Sequence, residues 1–244
     1  GGERFVAGVR DGRKGWSLSL RRAAGAVCFR LQAAGAASGP VLDHCFAGTD
    51  GAGDFRWQHV ALTYGAARGK SGVWELFVNG ASKGCAENPE KFLPHGCPDL
   101  FLGGLAGSGD TFCGELDLWR VSDEPLPPAR LLCRSVPKTL AFWPLGLAPD
   151  GAPVLADRSG CARDLVPGRD GGITGCADAA LPAAGPADGE GHGCVQLEGG
   201  IGMRSVLVAP GLGLRCDVTN SFSVEGWTRR IADPGERSWH VIGT

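Results

Sequence analysis

Glu115 and Asp117, two positions apart in the segment FCGELDLWRVS, are the first candidates for chemistry in this sequence. In an extended strand, residues i and i+2 point to the same face. Two carboxyl groups on one face could perform acid–base work on a glycosidic bond, which retaining enzymes flank with carboxyls about 5 Å apart. The ten cysteines offer a second chemistry. Cys28, Cys45, Cys85, Cys97, Cys113, Cys133, Cys161, Cys176, Cys194 and Cys216 include no Cys-x-x-Cys pair and read as disulfides formed in an oxidising space. His95-Gly-Cys97 and His192-Gly-Cys194 repeat a His-x-Cys unit, but without the closely spaced second pair that marks a zinc site. None of the five histidines stands in a nucleophile context, so no serine triad is legible. His59 and His240 each follow a tryptophan closely and read as half-buried structural residues.

The seven tryptophans raise a third possibility, stacking on sugar rings. In strands, however, most such rings fill the space between two sheets. Trp57, Trp74 and Trp227 are expected in the core, and Trp239 is the candidate exposed binding residue. No Asn-x-Ser/Thr acceptor is present, so N-glycosylation is not expected.

The elements that must position these residues read almost wholly as strands. Apolar clusters between glycine-rich breaks predict strands at Phe5–Arg10, Trp16–Leu20, Val27–Gln32, Trp57–Tyr64, Val73–Val78, Leu100–Leu102 and Phe112–Ser122. Further strands are expected at Leu140–Trp143, Cys194–Leu197, Met203–Val208, Phe222–Arg230 and His240–Ile242. Asn79-Gly80 supplies the signal for a two-residue hairpin. Helix is predicted only at Pro128–Cys133, where proline suits a first helical turn. The stretch Gly160–Gly193, rich in Gly, Ala, Asp and Pro, reads as a long surface loop. Many short strands with almost no helix define the fold class: all-β, a two-sheet antiparallel sandwich rich in disulfides.

Within that frame Cys161 and Cys176 could staple the long loop, Cys85 and Cys97 could bracket an insertion, and Cys28 and Cys45 could join two hairpin arms. Spacing alone leaves the connectivity open, and it assigns no partner to Cys113, Cys133, Cys194 or Cys216.

Composition narrows the function classes. Glycine (41 residues) follows no short period, which excludes collagen, and 43% hydrophobic residues argue against disorder. With 24 basic and 26 acidic residues well mixed, there is no stripe for nucleic acid and no polybasic patch for a membrane surface. No apolar run approaches the roughly 18 residues needed to insert across a bilayer. No signal peptide is legible, so a secreted chain would have lost it or would derive from a longer precursor.

WQHVALTY at Trp57–Tyr64, WELFVNGASKG at Trp74–Gly84, and LFLGG followed by GELDLWRVS at Gly114–Ser122 occur in that order. Together they resemble the second half of a laminin-G-like, concanavalin-A-like jelly roll, with Pro125–Leu132 resembling its closing short helix. LAFWPL at Leu140–Leu145, DRSGCARDL at Asp157–Leu165, CVQLEG at Cys194–Gly199 and SFSVEGW at Ser221–Trp227 resemble the first half. The chain is therefore similar to one such domain in circularly permuted order, with residues 1–133 as the second half and 134–244 as the first. The halves could close on each other, belong to a tandem array, or complete a neighbouring chain head-to-tail, which builds fibres unless a ring closes.

The resemblance also bears on the sites. Laminarinase-type hydrolases of this fold carry a third acid just beyond the carboxylate pair, where this chain has Leu118, Trp119 and Arg120. The resemblance thus implies a non-enzymatic module with Asp117 in the acidic position of a final strand. It implies a calcium ion held by Asp157 and Asp117, because hard oxygen ligands suit Ca²⁺. An Asx-turn at Asp157 is the competing reading. The expectation is an extracellular or cell-surface structural and assembly module, a repeat or filament subunit whose partners are copies of itself or adjoining repeats. The alternative is a calcium-dependent module that binds glycans or extracellular proteins.

Overall fold

The structure is a computed structural model. It describes residues 4–11, 14–23, 26–33, 42–45, 57–65, 72–87, 99–104, 112–131, 139–168, 172–177, 193–197, 206–212, 214 and 221–230. In chain order the strands are β1 (Arg4–Asp11), β2 (Lys14–Ala23), β3 (Ala26–Ala33), β4 (Leu42–Cys45), β5 (Gln58–Gly65), β6 (Val73–Val78), β7 (Ala81–Glu87), β8 (Leu100–Leu102) and β9 (Gly114–Ser122). After a 3-10 turn at Pro128–Arg130 come β10 (Thr139–Trp143), β11 (Val166–Pro167), β12 (Ile173–Ala177), β13 (Gly193–Leu197), β14 (Leu207–Ala209) and β15 (Phe222–Arg230).

Local chemistry accounts for the clearest hairpin. In β5 and β6 the apolar residues that face the core alternate with those of the other face. Asn79 and Gly80 between β6 and β7 take φ of 52° and 75°, the left-handed pair that matches strand twist in a two-residue turn. Asn79 also locks the adjacent strand, because its Oδ1 accepts from the His59 backbone N–H at 3.0 Å.

One layer of the sandwich is an antiparallel sheet in the order β12-β13-β9-β15-β5-β6-β7, with β10 also paired to β9. The other is formed by β1-β2-β3-β4 and by β11-β14-β8, with β1 lying beside β8. Trp16 of β2 reaches across the gap to Trp74 (5.7 Å) and Phe222 (5.5 Å), and Tyr64 packs on Trp74 at 4.7 Å. These aromatic rings and the leucines and valines around them form one core between the layers.

Strands from both halves of the chain alternate in the larger sheet. β15, from the C-terminal half, lies between β9 and β5 of the N-terminal half and pairs with each along most of its length. Two sequence expectations change. The segment read as a loop over Gly160–Gly193 contains β11 and β12, which become strands because β14 and β13 offer them a ladder, not because of their own pattern. The helix expected at Pro128–Cys133 is a single 3-10 turn at Pro128–Arg130, and Cys133 lies outside the described residues. Met203 and the segment His240–Ile242 also lie outside them.

Candidate functional site

The candidate site is the face of β9, β15 and β5 turned away from the main core. Its layout follows from a bulge. Leu118 has a φ of 50°, and the β9–β15 register jumps between Glu225 and Trp227, so β9 carries one extra residue there. At the same point β9 changes its other neighbour, from β13 to β10, and the Leu118 N–H bonds the carbonyl of Pro144 at 3.3 Å. Before the bulge Glu115 and Asp117 alternate with core Leu116. After it the phase resets, so Trp119 and Val121 enter the core and Arg120 joins the outer row.

Four charges in this row are buried. Glu115 and Asp117 are 3% and 2% exposed, and Arg120 and Glu225 are 2% and 3% exposed. Burial of an ion is tolerated when partners replace water, as they do for Glu115 and for the Arg120–Glu225 pair. Arg229 pairs with Glu115 Oε2, and the Cys176 thiol donates to Glu115 Oε1 at 3.4 Å. Arg120 pairs with Glu225 Oε1 and donates to the carbonyl of Arg130 at 2.9 Å, while His59 Nε2 meets Glu225 Oε2 at 3.1 Å. Arg229 also lies over the Trp57 ring, 5.1 Å from its centroid.

Trp57 and Trp227 pack with Leu118 and Cys194 in a second apolar cluster, flanked by Phe142 and Cys176. The expectation that Trp57, Trp74 and Trp227 are all core therefore needs refinement. All three are buried, but only Trp74 belongs to the core between the layers. Trp239, the proposed exposed binding residue, lies outside the described residues.

Asp157 stands in a turn of its own. Its Oδ1 accepts from the backbone N–H of Phe142 (2.9 Å) and of Ser159 (2.8 Å). Its Oδ2 accepts from the Ser159 hydroxyl (2.8 Å) and the Arg163 N–H (3.0 Å). Burial pushes this carboxyl's pKa up, but the bonds from Phe142, Ser159 and Arg163 outweigh it and hold the pKa below the ordinary value. Four donors occupy the lone pairs that a calcium ion would need, and Asp117 is buried on a different element. The pair Asp157 and Asp117 does not fit a calcium shell, and the Asx-turn reading describes Asp157.

The sulfurs are distributed as follows. Cys28 and Cys45 are opposite each other on β3 and β4 and are bonded. Cys161 and Cys176 are not joined to each other: the Cys161 thiol meets the Thr139 carbonyl at 3.8 Å, and Cys176 stands opposite Cys194 in the β12–β13 ladder. The physical reason is that Cys176 belongs to a strand and not to a free loop. Cys85 is exposed on edge strand β7, and its suggested partner Cys97, like Cys133 and Cys216, lies outside the described residues. Among the described residues, Glu115, Cys176 and Cys194 form a group of possible metal-ligating side chains, with ligand atoms within 4.8 Å of one another.

Sequence reasoning found Glu115 and Asp117 but missed Arg229 and Cys176, the partners of Glu115, and Glu225, the partner of Arg120. One signal was available: Glu225, Trp227 and Arg229 share the period-2 face of an otherwise apolar strand.

A two-layer antiparallel sandwich with strands of both chain halves interleaved in its larger sheet is the architecture of a jelly-roll module. A sequence profile of the concanavalin A-like lectin/glucanases superfamily, laminin-G type, matches residues 2–131, more than half of the chain. The chain belongs to that superfamily. No curated protein and no solved structure matches it. Membership makes it a candidate extracellular binding or structural module. Among the described residues, no helix is long and apolar enough to cross a membrane.

Proposed function

We propose that this chain is a non-catalytic, extracellular recognition module for glycans or proteins, part of a secreted or cell-surface protein. The superfamily spans lectins and glucanases, and the state of Glu115 separates the two. A hydrolase must present one carboxyl to the leaving oxygen and another to the sugar carbon. Here Glu115 is buried, one oxygen held by Arg229 and the other by Cys176, and Arg120 stands where a third acid would be needed. That single arrangement carries the reading. Calcium dependence is no part of it, since Asp157 is committed to its own turn.

Incubating the purified chain with soluble β-glucans tests the point, alongside a glycan and matrix-protein binding array. Binding without release of reducing ends is the expected result. Turnover that disappears in Glu115→Gln would overturn it.

A second reading rests on β15. This one strand supplies both ladders that join β9 to β5, so its exchange between chains would link units head-to-tail into a repeat or filament. Closure within one chain is favoured by the covalent connection from Ser122 to Thr139, which keeps the effective concentration of the two halves high. Light-scattering mass over a wide concentration range separates the two: a constant value near 25 kDa for closure, growing multiples of it for exchange.

A further inference from the structure

We infer that Cys176 and Cys194 form a cross-strand disulfide that pins the edge strand β12 to the sheet. The inference rests on the reading of the chain as one that matures in an oxidising compartment. Three observations carry it. The two residues are directly opposite in the antiparallel β12–β13 ladder, the arrangement that Cys28 and Cys45 have across β3 and β4. Directly opposed strand residues hold their Cβ atoms within the reach of an S–S bond. The two Sγ atoms lie within 4.8 Å of each other. The other suggested partner, Cys161, lies against the Thr139 carbonyl at 3.8 Å.

The neighbouring charges decide between a disulfide and a metal. A cation bound by Glu115, Cys176 and Cys194 would lie against the Arg229 guanidinium, which already neutralises Glu115. A zinc site would also need both thiols ionised and a fourth ligand. Burial raises the Cys176 pKa, as do the hydrogen bond to Glu115 and its charge, so the thiol keeps its proton. A disulfide needs a thiolate only transiently, and the departing proton is already directed at Glu115 Oε1.

The chemistry balances as thiol–disulfide exchange with a small disulfide or the active disulfide of an oxidoreductase. Cys176, the less buried of the pair, loses its proton and attacks the oxidant's S–S bond. One half of the oxidant leaves as a thiolate, and the other stays on Cys176 as a mixed disulfide. Cys194 then loses its proton and attacks the Cys176 sulfur, expelling the second thiolate. Two electrons pass to the oxidant, and two protons end on its thiols. The product closes a loop of 18 residues' separation, against 17 for Cys28–Cys45.

The experiment oxidises the purified full chain in a glutathione couple, blocks remaining thiols with iodoacetamide, and digests without reduction at acidic residues. Asp178, Asp188 and Glu190 lie between the two cysteines, and Asp43 lies between Cys28 and Cys45. The expected result is a peptide pair joined through Cys176 and Cys194, two hydrogens lighter than its reduced parts and separated by dithiothreitol. Alkylation of both residues, or a peptide joining either one to a different cysteine, overturns the inference. If Cys28–Cys45 forms and Cys176–Cys194 does not, the inference fails and the extracellular reading stands; if neither forms, both fail. Cys176→Ser/Cys194→Ser provides the control and is expected to lose this peptide pair alone.

Discussion

Arg120 on β9 and Glu225 on β15 stand opposite each other in the ladder and pair their charges while both are buried. Removing one partner leaves the other ionised and buried, which typically costs about 3–5 kcal/mol. Arg120→Met is therefore expected to be strongly destabilised in urea unfolding. Arg120→Met/Glu225→Leu should recover most of that loss, because an apolar pair of similar volume carries no desolvation penalty. A double variant as unstable as the single one would contradict this account.

Gly226 is the residue of β15 that faces the bulge. A Cβ there would come within 2.2 Å of the Trp119 ring, which is itself fully buried. Glycine in a strand interior often marks such a close backbone approach. Gly226→Ala should cost about 1–3 kcal/mol through overpacking, and Trp119→Phe in the same chain should return part of it. Thermal unfolding of the four chains measures the coupling.

Asp157 predicts an acid-dependent effect. Its pKa is depressed in the folded chain, so its stabilising contribution is fully present above the unfolded carboxyl value of about 4. That contribution is lost as pH falls through the lower folded value. Asp157→Ala should be less stable than the parent at pH 7 by about 1.5–3 kcal/mol, the scale of a hydrogen bond to a charged acceptor. The two chains should converge in acid. Chelator or added millimolar calcium should leave the parent's melting temperature unchanged; a rise with calcium would show a site that these residues do not make.

Cys176 predicts a base-dependent effect in the reduced protein. Burial comes first among the causes that hold its pKa above the ordinary thiol value, followed by the hydrogen bond and charge of Glu115. Its alkylation rate should rise with pH only beyond the range of an unperturbed thiol. In Glu115→Gln the charge is gone and Arg229 remains beside the sulfur, so the profile should move to lower pH. An unmoved profile would mean that Glu115 does not govern this thiol.

The sequence made the pattern-bearing strands legible and left the pairing-dependent ones obscure. β5, β6 and β15 carry their own alternation, and Asn79-Gly80 announces its turn. β7 (ASKGCAE) is polar and largely exposed, and β4 (LDHC) and β12 (ITGCA) are short, so these become strands only because a neighbour offers a ladder. The bulge at Leu118 had no signal of its own, since leucine is not a residue that favours positive φ. The site was half legible for the same reason. Glu115 and Asp117 are two positions apart in the chain, whereas Arg229 lies 114 residues from Glu115 and Glu225 lies 105 from Arg120. Those pairings exist only once β15 has entered the sheet.

That entry supplies the last prediction. Without β15, the N-terminal half would expose the facing edges of β5 and β9 and lose Phe222 and Val224 from the core. The C-terminal half would in turn bury neither Glu225 nor Arg229 beside a partner. Unpaired edges of this kind aggregate instead of persisting in solution. Residues 1–133, although they contain the whole of the segment that matches the family, should therefore show no cooperative melting alone, and neither should residues 134–244. Refolded together at equal concentration, the two pieces should recover a cooperative transition and the near-ultraviolet circular dichroism of packed tryptophans. A cooperative transition from 1–133 alone would mean that its nine strands form a finished sandwich, and that β15 is an addition to the fold and not the strand that completes it.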